Sequence, residues 1–154
     1  VLTPDFNCDR NSLEKVIHSG IEVFNHNLET VERLSSSIRS KATYQNSLKV
    51  LRYASEISKG SVKIKSGIMA GMGESDDEIL KSICDLYDAG VRILTIGQYL
   101  PPSQDHWKLD RYPSPEKFAE WEKFALEKGF EAAACAPLVR SSYSAAELIG
   151  KKAC

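Results

Sequence analysis

Asn25, Asn27 and Glu29 alternate where the short apolar run from Ile21 ends in Asn-His-Asn-Leu-Glu-Thr. Alternate residues of an extended strand share a face. Three such side chains could bind a ribose hydroxyl or pair with an ammonium group. The same stretch also suits a helix start, with Asn27 or Thr30 as the cap and Glu29 favouring the helix dipole. Lys65 ends another apolar run. It could be an imine-forming nucleophile, a point charge for a carboxylate, or a solvated side chain. Gly67-Ile68-Met69-Ala70-Gly71-Met72-Gly73-Glu74 follows it directly. Glycines let backbone approach a ligand closely, and exposed amides can bind its polar edges. No Gly-Lys-Ser/Thr follows, and the spacing is not that of the dinucleotide fingerprint. A plain turn into the next helix is the alternative. Gln98 and Tyr99 leave a further run and could reach the same hollow, or Tyr99 could merely cover its end. Arg140-Ser141-Ser142-Tyr143 lies near the carboxy terminus. A serine alkoxide can bind iron where a coordination position is open; hydrogen bonding within a loop is the plainer use.

These residues need strands to carry them, and the apolar pattern supplies them. Val1 to Phe6 reads as a strand already under way, in a chain expected to begin inside a larger protein. Leu13, Val16 and Ile17 fall at helical spacing, ended by Gly20. Ile21 to Asn25 is a second strand. Val31, Leu34 and Ile38 begin a helical pattern that Tyr44, Leu48 and Leu51 continue to Gly60. Val62 to Ile68 is a third strand. Ser75 and Glu78 form a capping box for a helix that buries Ile79, Ile83, Leu86 and Tyr87. Val91 to Ile96 is the next strand. Ser114 and Pro115 open a helix with Phe118, Trp121 and Ala125 inward. Phe130 to Cys135 is a last strand, with a short tail helix after it. Strands separated by helices predict parallel pairing, and ligands of such sheets gather at the carboxyl ends of the strands.

With 20 basic and 21 acidic residues the net charge is -1. That gives no electrostatic footprint for nucleic acid or an anionic membrane. No apolar run approaches the roughly 20 residues that span a bilayer. Cys8, Cys84, Cys135 and Cys154 stand far apart, without a paired spacing for a metal or cluster. His18 falls in a helical stretch and reads as a surface residue, and His26 and His106 lack a partner pattern for a catalytic triad or a zinc site.

The runs VLTPDFN, VFNHNLETVERL, KSGIMAGMGE, ILTIGQYLPPS and PLVRSSYSA together resemble the lipoyl synthases, a family of radical S-adenosylmethionine enzymes. The glycine run alone is weak; HNLETV, LTIGQYL and VRSSY together are specific. The resemblance covers residue 1 to about residue 147. It implies an α/β fold, a partial (β/α) barrel of the radical S-adenosylmethionine type. Only the carboxy-terminal strands of that barrel would be present, in about 1–100, with an extension in about 101–154. It implies S-adenosylmethionine and two 4Fe-4S clusters as cofactors. The activity would be sulfur insertion at carbons 6 and 8 of an octanoyl group on a carrier protein domain, with an electron donor and with no nucleic acid or membrane partner. The compartment would be the cytoplasm or an organelle matrix.

Carried over by residue, Asn27 and Glu29 would hold the polar end of S-adenosylmethionine. The segment from Gly67 and Ile68 through Gly71 to Glu74 would meet its adenine. Lys65, Gln98, Tyr99 and Arg140 would line the shared cavity. Ser142, or else Ser141, would be a non-cysteine cluster ligand. The four cysteines do not match the family's cluster motifs, so this chain alone is expected to be inactive. A half-barrel that binds a nucleoside or a partner without chemistry is the second reading. A lysine-dependent aldolase using Lys65 is the third.

Overall fold

The computed structural model describes residues 1–39 and 42–141. It is α/β, built on one four-stranded parallel sheet in the sequential order β1-β2-β3-β4. The strands are β1 (Val23–Asn25), β2 (Lys63–Ala70), β3 (Ile93–Gln98) and β4 (Ala132–Cys135). The helices are α1 (Arg10–Ile17), α2 (Glu32–Ile38), α3 (Tyr44–Ser58), α4 (Asp76–Asp88) and α5 (Pro115–Lys128). A sequential parallel order with right-handed crossovers places the connecting helices on one side of the sheet.

The strand residues divide accordingly. Ile64, Ile68, Ala70, Leu94 and Ile96 join Leu51, Ile83, Phe118 and Trp121 in the apolar core. The opposite face carries Lys65, Gly67, Thr95 and Gly97 instead. Register aligns it in layers: Asn25, Lys65, Ile93 and Ala132 form one, and Gly67, Thr95 and Ala134 the next. The sheet therefore has one apolar face under helices and a second face that carries Lys65 and Thr95.

Local signals set the helix ends. Ser75 Oγ accepts from Glu78 N at 3.2 Å, and the Glu78 carboxylate accepts from Ser75 N at 2.8 Å, closing the capping box of α4. Arg33 grips the same carboxylate at 2.7 Å and 2.9 Å and pulls its pKa down to about 2. Ser75→Ala should remove about 1 kcal/mol of stability, read as a lower urea midpoint at unchanged slope. Ser114 caps α5, Pro115 is its first residue, and Gly129 ends it in the left-handed region.

Three expectations need correction. The segment from Val1 to Phe6 is not a buried strand. Thr3 N donates to Asn25 O and Asn25 N to Val1 O, a single bridge beside β1, and Val1 and Leu2 are exposed. Pro4 has no N–H to continue the ladder, and Asp5 caps a 3-10 turn at Phe6–Cys8. The helical pattern from Val31 onward is two helices, because Thr43 starts α3 afresh by accepting from Asn46 N. β2 runs on through Met69 and Ala70, paired with Gly97 and Gln98. Beyond residue 100, α5 and β4 add the fourth strand to the same sheet.

Candidate functional site

Past Asn25 the pairing of β1 with β2 slips by one residue. Asn25 pairs with Lys65, but Glu29 pairs with Ile68. Three residues, His26 to Leu28, thus oppose two, Ser66 and Gly67. This is a bulge, a device that re-aims side chains. It is held by His26 N to Lys65 O, Leu28 N to Ser66 Oγ, Glu29 N to Gly67 O and Met69 N to Glu29 O, all between 2.8 and 3.2 Å. Glu29 sits at φ +71, in the left-handed region that non-glycine residues rarely adopt. Neither Asn27 nor Thr30 caps α2, whose cap position is Val31 with no side-chain bond. The Asn27 Oδ1 atom is buried and has no hydrogen-bond partner among the described residues.

The bulge forms one wall of a cavity of about 180 Å³ at the carboxyl ends of β2 and β3. Gly67, Ile68 and Met69 of β2, Thr95, Gly97 and Gln98 of β3, and Leu100 continue the lining. A side chain at Gly67 would fill the space: its Cβ would lie 2.9 Å from Thr95 Oγ1 and 3.1 Å from Asn27 Oδ1. The far wall is a strap from Ala136 to Ser141, of which Val139, Arg140 and Ser141 face the cavity. The strap continues the β3 ladder through Ala136 N to Ile96 O and Gln98 N to Pro137 O. Arg140 folds back to donate to Val139 O at 2.7 Å and Pro137 O at 3.2 Å.

Of the residues named from sequence, the cavity thus gathers Asn27, Glu29, Gly67, Ile68, Gln98, Arg140 and Ser141. Lys65 is not in its lining. Its buried ammonium donates to Ser141 O at 2.5 Å, and burial pushes its pKa below the ordinary lysine value. Its amine is therefore engaged by the strap.

Gly71, Glu74 and Tyr99 do not line the cavity either. The loop after β3 folds over the glycine turn and covers it. Asp110 N donates to Gly71 O at 2.9 Å, Trp107 Nε1 to Met72 O at 2.9 Å, and the Tyr99 hydroxyl to Trp107 O at 2.9 Å. The Glu74 carboxylate turns back on its own turn, accepting from Gly71 N at 2.7 Å and Met72 N at 2.8 Å. Ser142 lies outside the described residues, as do Tyr143, Cys154 and the expected tail helix.

Thr95, Gly97, Leu100 and Val139 were not foreseen. Thr95 and Gly97 share an alternation with the polar end of β3, which was the available signal. His26 was also missed: it is buried, with both ring nitrogens engaged.

Comparison with known proteins now bears on this geometry. Over 147 residues, 96% of the chain, it is 50% identical to a lipoyl synthase of Rubrobacter xylanophilus. It is 47% identical to the mitochondrial lipoyl synthase of Danio rerio over 97% of its length, and 45% identical to a lipoyl synthase of Alkaliphilus metalliredigens over 98%. Its sequence matches the lipoyl synthases. The chain spans 46%, 38% and 52% of these three relatives respectively. No family model matches. Among solved structures, a dihydrodipicolinate synthase family protein from Coccidioides immitis superposes with a TM-score of 0.50 at 16% identity, over 82% of this chain and 37% of that one. That likeness supports a TIM-barrel-like α/β arrangement and nothing chemical.

Lipoyl synthase relatives include bacterial, mitochondrial and chloroplastic proteins. No helix among the described residues is long and apolar enough to cross a membrane. The described residues contain no group of three or more His, Cys, Asp or Glu that could hold a metal ion. Cys8 and Cys84 are partly exposed, and burial pushes the Cys135 thiol far up, away from the thiolate a cluster needs. These residues do not fit an iron–sulfur cluster by themselves. The orphaned Asn27 oxygen needs a donor, Glu29 offers a carboxylate, and Gly67 leaves the space beside them open.

Proposed function

We propose that this chain forms the nucleoside-binding side of a radical S-adenosylmethionine lipoyl synthase, built as part of a partial (β/α) barrel. The whole enzyme would insert two sulfur atoms into an octanoyl group carried on a protein domain. The reading rests on the bulge that carries Asn27 and Glu29 to the rim of a glycine-floored cavity, and the lipoyl synthase relatives support it. Asn27 Oδ1 accepts from a ribose hydroxyl or the ammonium of S-adenosylmethionine, and the Glu29 carboxylate pairs with that positive end. Gly67 and Ile68 offer backbone edges to the base. Gln98 and Thr95 bound the floor. Arg140 and Ser141, the latter held by Lys65, form the far wall.

When bound and reduced, S-adenosylmethionine supplies the carbon radical that removes hydrogen atoms from the octanoyl chain. The described residues bind, orient and shield it. No step assigned to them passes through a cluster. The two 4Fe-4S clusters, the electron donor and the octanoylated carrier domain belong to the whole enzyme.

The test is calorimetric titration of S-adenosylmethionine into the chain and into its Asn27→Ala and Glu29→Gln variants. Each variant should bind at least about tenfold more weakly, the loss of one charge-assisted contact. Equal affinity in all three, or no uptake by the parent chain, overturns the assignment.

A further inference from the structure

The bulge is tied to the rest of the molecule by hydrogen bonds whose direction the two ends dictate. Arg39 Nη1 lies 3.3 Å from Asn27 O, 3.1 Å from Leu28 O and 3.2 Å from Ser47 Oγ. His26 Nε2 lies 3.0 Å from the same Ser47 oxygen, and His26 Nδ1 lies 3.0 Å from Thr3 O. A guanidinium only donates and a carbonyl only accepts. His26 Nδ1 therefore carries a proton directed to Thr3 O, and in the neutral ring Nε2 accepts the Ser47 proton while Ser47 Oγ accepts from Arg39. His26 is 2% exposed and Ser47 0%, so water does not substitute for these partners.

We infer that His26, Ser47 and Arg39 are positioning residues for the bulge, and that they hold Asn27 and Glu29 in place for the nucleoside only while His26 is neutral. The inference rests on the nucleoside reading above. Arg39 grips the carbonyls of Asn27 and Leu28, one in the peptide group that follows Asn27 and one in the peptide group that precedes Glu29. Protonating His26 places an N–H at Nε2 against an oxygen that already accepts from Arg39. The Ser47 hydroxyl must then turn away, and a second positive charge appears beside the guanidinium. The groups that face His26 are Thr3 and Asp5 from the amino-terminal segment, Arg39 at the end of α2, Ser47 of α3, and the Lys65 carbonyl of β2. Asp5 is the anion in this set and acts against Arg39.

The sign of the pH effect follows. Burial first, and the Arg39 charge with it, holds the His26 pKa below its ordinary 6.5. The unfolded chain takes up a proton near that value, and the folded chain does so only further down. The relay is intact above the ordinary histidine value and is lost as pH falls through the depressed one.

Nitrogen-15 correlation spectra of the His26 ring in the 154-residue chain should show the Nδ1–H tautomer at neutral pH. Titration of S-adenosylmethionine between about pH 8 and pH 5, the range in which histidine changes charge, should show at least about tenfold weaker binding at the acid end. Ser47→Ala should bind weakly even at neutral pH and lose most of the pH dependence. Arg39→Lys should keep part of the affinity that Arg39→Met loses. Where Arg39→Met fails to fold by circular dichroism, the parent chain's tautomer and pH profile decide. An Nε2–H tautomer, or uptake indifferent to pH and to Ser47→Ala, overturns the relay alone. An Nδ1–H tautomer with no uptake at any pH overturns the nucleoside reading and this inference with it.

Discussion

Gly97→Ala should cost the cavity its far wall and weaken S-adenosylmethionine binding by more than about tenfold. Gly97 is not in the left-handed region, so its backbone would accept alanine. The objection is space. A Cβ at Gly97 would lie 2.2 Å from Val139 O and 3.2 Å from Val139 C. Those atoms are backbone, and the strap that carries them is pinned to the two residues that flank Gly97. Ala136 N is bonded to Ile96 O, and Gln98 N to Pro137 O. The strap can yield only by breaking that ladder, which would expose Val139, now 4% exposed. Overpacking of this kind destabilises by about 1–3 kcal/mol. Gly20→Ala is the control: it shares the substitution and adds strain at φ +84, but its Cβ would meet nothing within 4 Å. Amide exchange at Val139, which donates to Ala136 O, should quicken in Gly97→Ala and stay slow in Gly20→Ala. Unchanged exchange together with parent-like affinity would show that the strap is not the wall.

The elements that could be read from sequence are those whose signals are local. Ser75 with Glu78, and Ser114 with Pro115, each announce a helix start within a few residues. The inward faces of α4 and α5 follow from their spacing. The failures come from competition between signals. The apolar spacing from Val31 to Leu51 runs smoothly across a break that Thr43 makes by capping α3. Val1 to Phe6 has strand composition, but Pro4 cannot donate and Asp5 caps a turn. β2 runs past the expected end at Ile68 because Gly97 and Gln98 on β3 are there to pair with Met69 and Ala70.

The site was legible where chemistry sits in side chains and hidden where it depends on path. Asn27 and Glu29 stand out by type, and simple alternation puts them on one face. They reach one cavity by another route, through a bulge and a left-handed glutamate that no residue spacing reveals. Tyr99 and Gln98 look alike as polar groups leaving β3. Only the loop that returns through Trp107 decides that Tyr99 is an anchor and Gln98 a lining residue. Thr95 and Gly97 look like ordinary strand residues until β2 and the strap are laid beside them.

Glu74 is the sharpest case, and it yields the largest expected loss of stability. Its side chain is 0% exposed, and its carboxylate accepts from Gly71 N at 2.7 Å and Met72 N at 2.8 Å. Arg111 stands 3.7 Å from the carboxylate and donates to the Glu74 carbonyl and to Asp76 at 3.1 Å each. Glu74→Ala leaves two buried donors without an acceptor and Arg111 without one of its anions. Breaking a buried charged arrangement from one side costs about 3–5 kcal/mol, which for a domain of this size lowers Tm by roughly 10 °C. Glu74→Gln keeps one accepting oxygen but turns an NH2 toward an N–H donor, so it should lose less. Thermal unfolding of the two variants checks the order. A Glu74→Ala chain that melts with the parent would show that the turn does not depend on this carboxylate. The family resemblance groups Glu74 with residues that touch the nucleoside, whereas its geometry is that of an anchor for the loop from Tyr99 to Arg111. Folded Glu74→Gln should therefore bind S-adenosylmethionine within about threefold of the parent, while Glu29→Gln, at the rim of the cavity, should not.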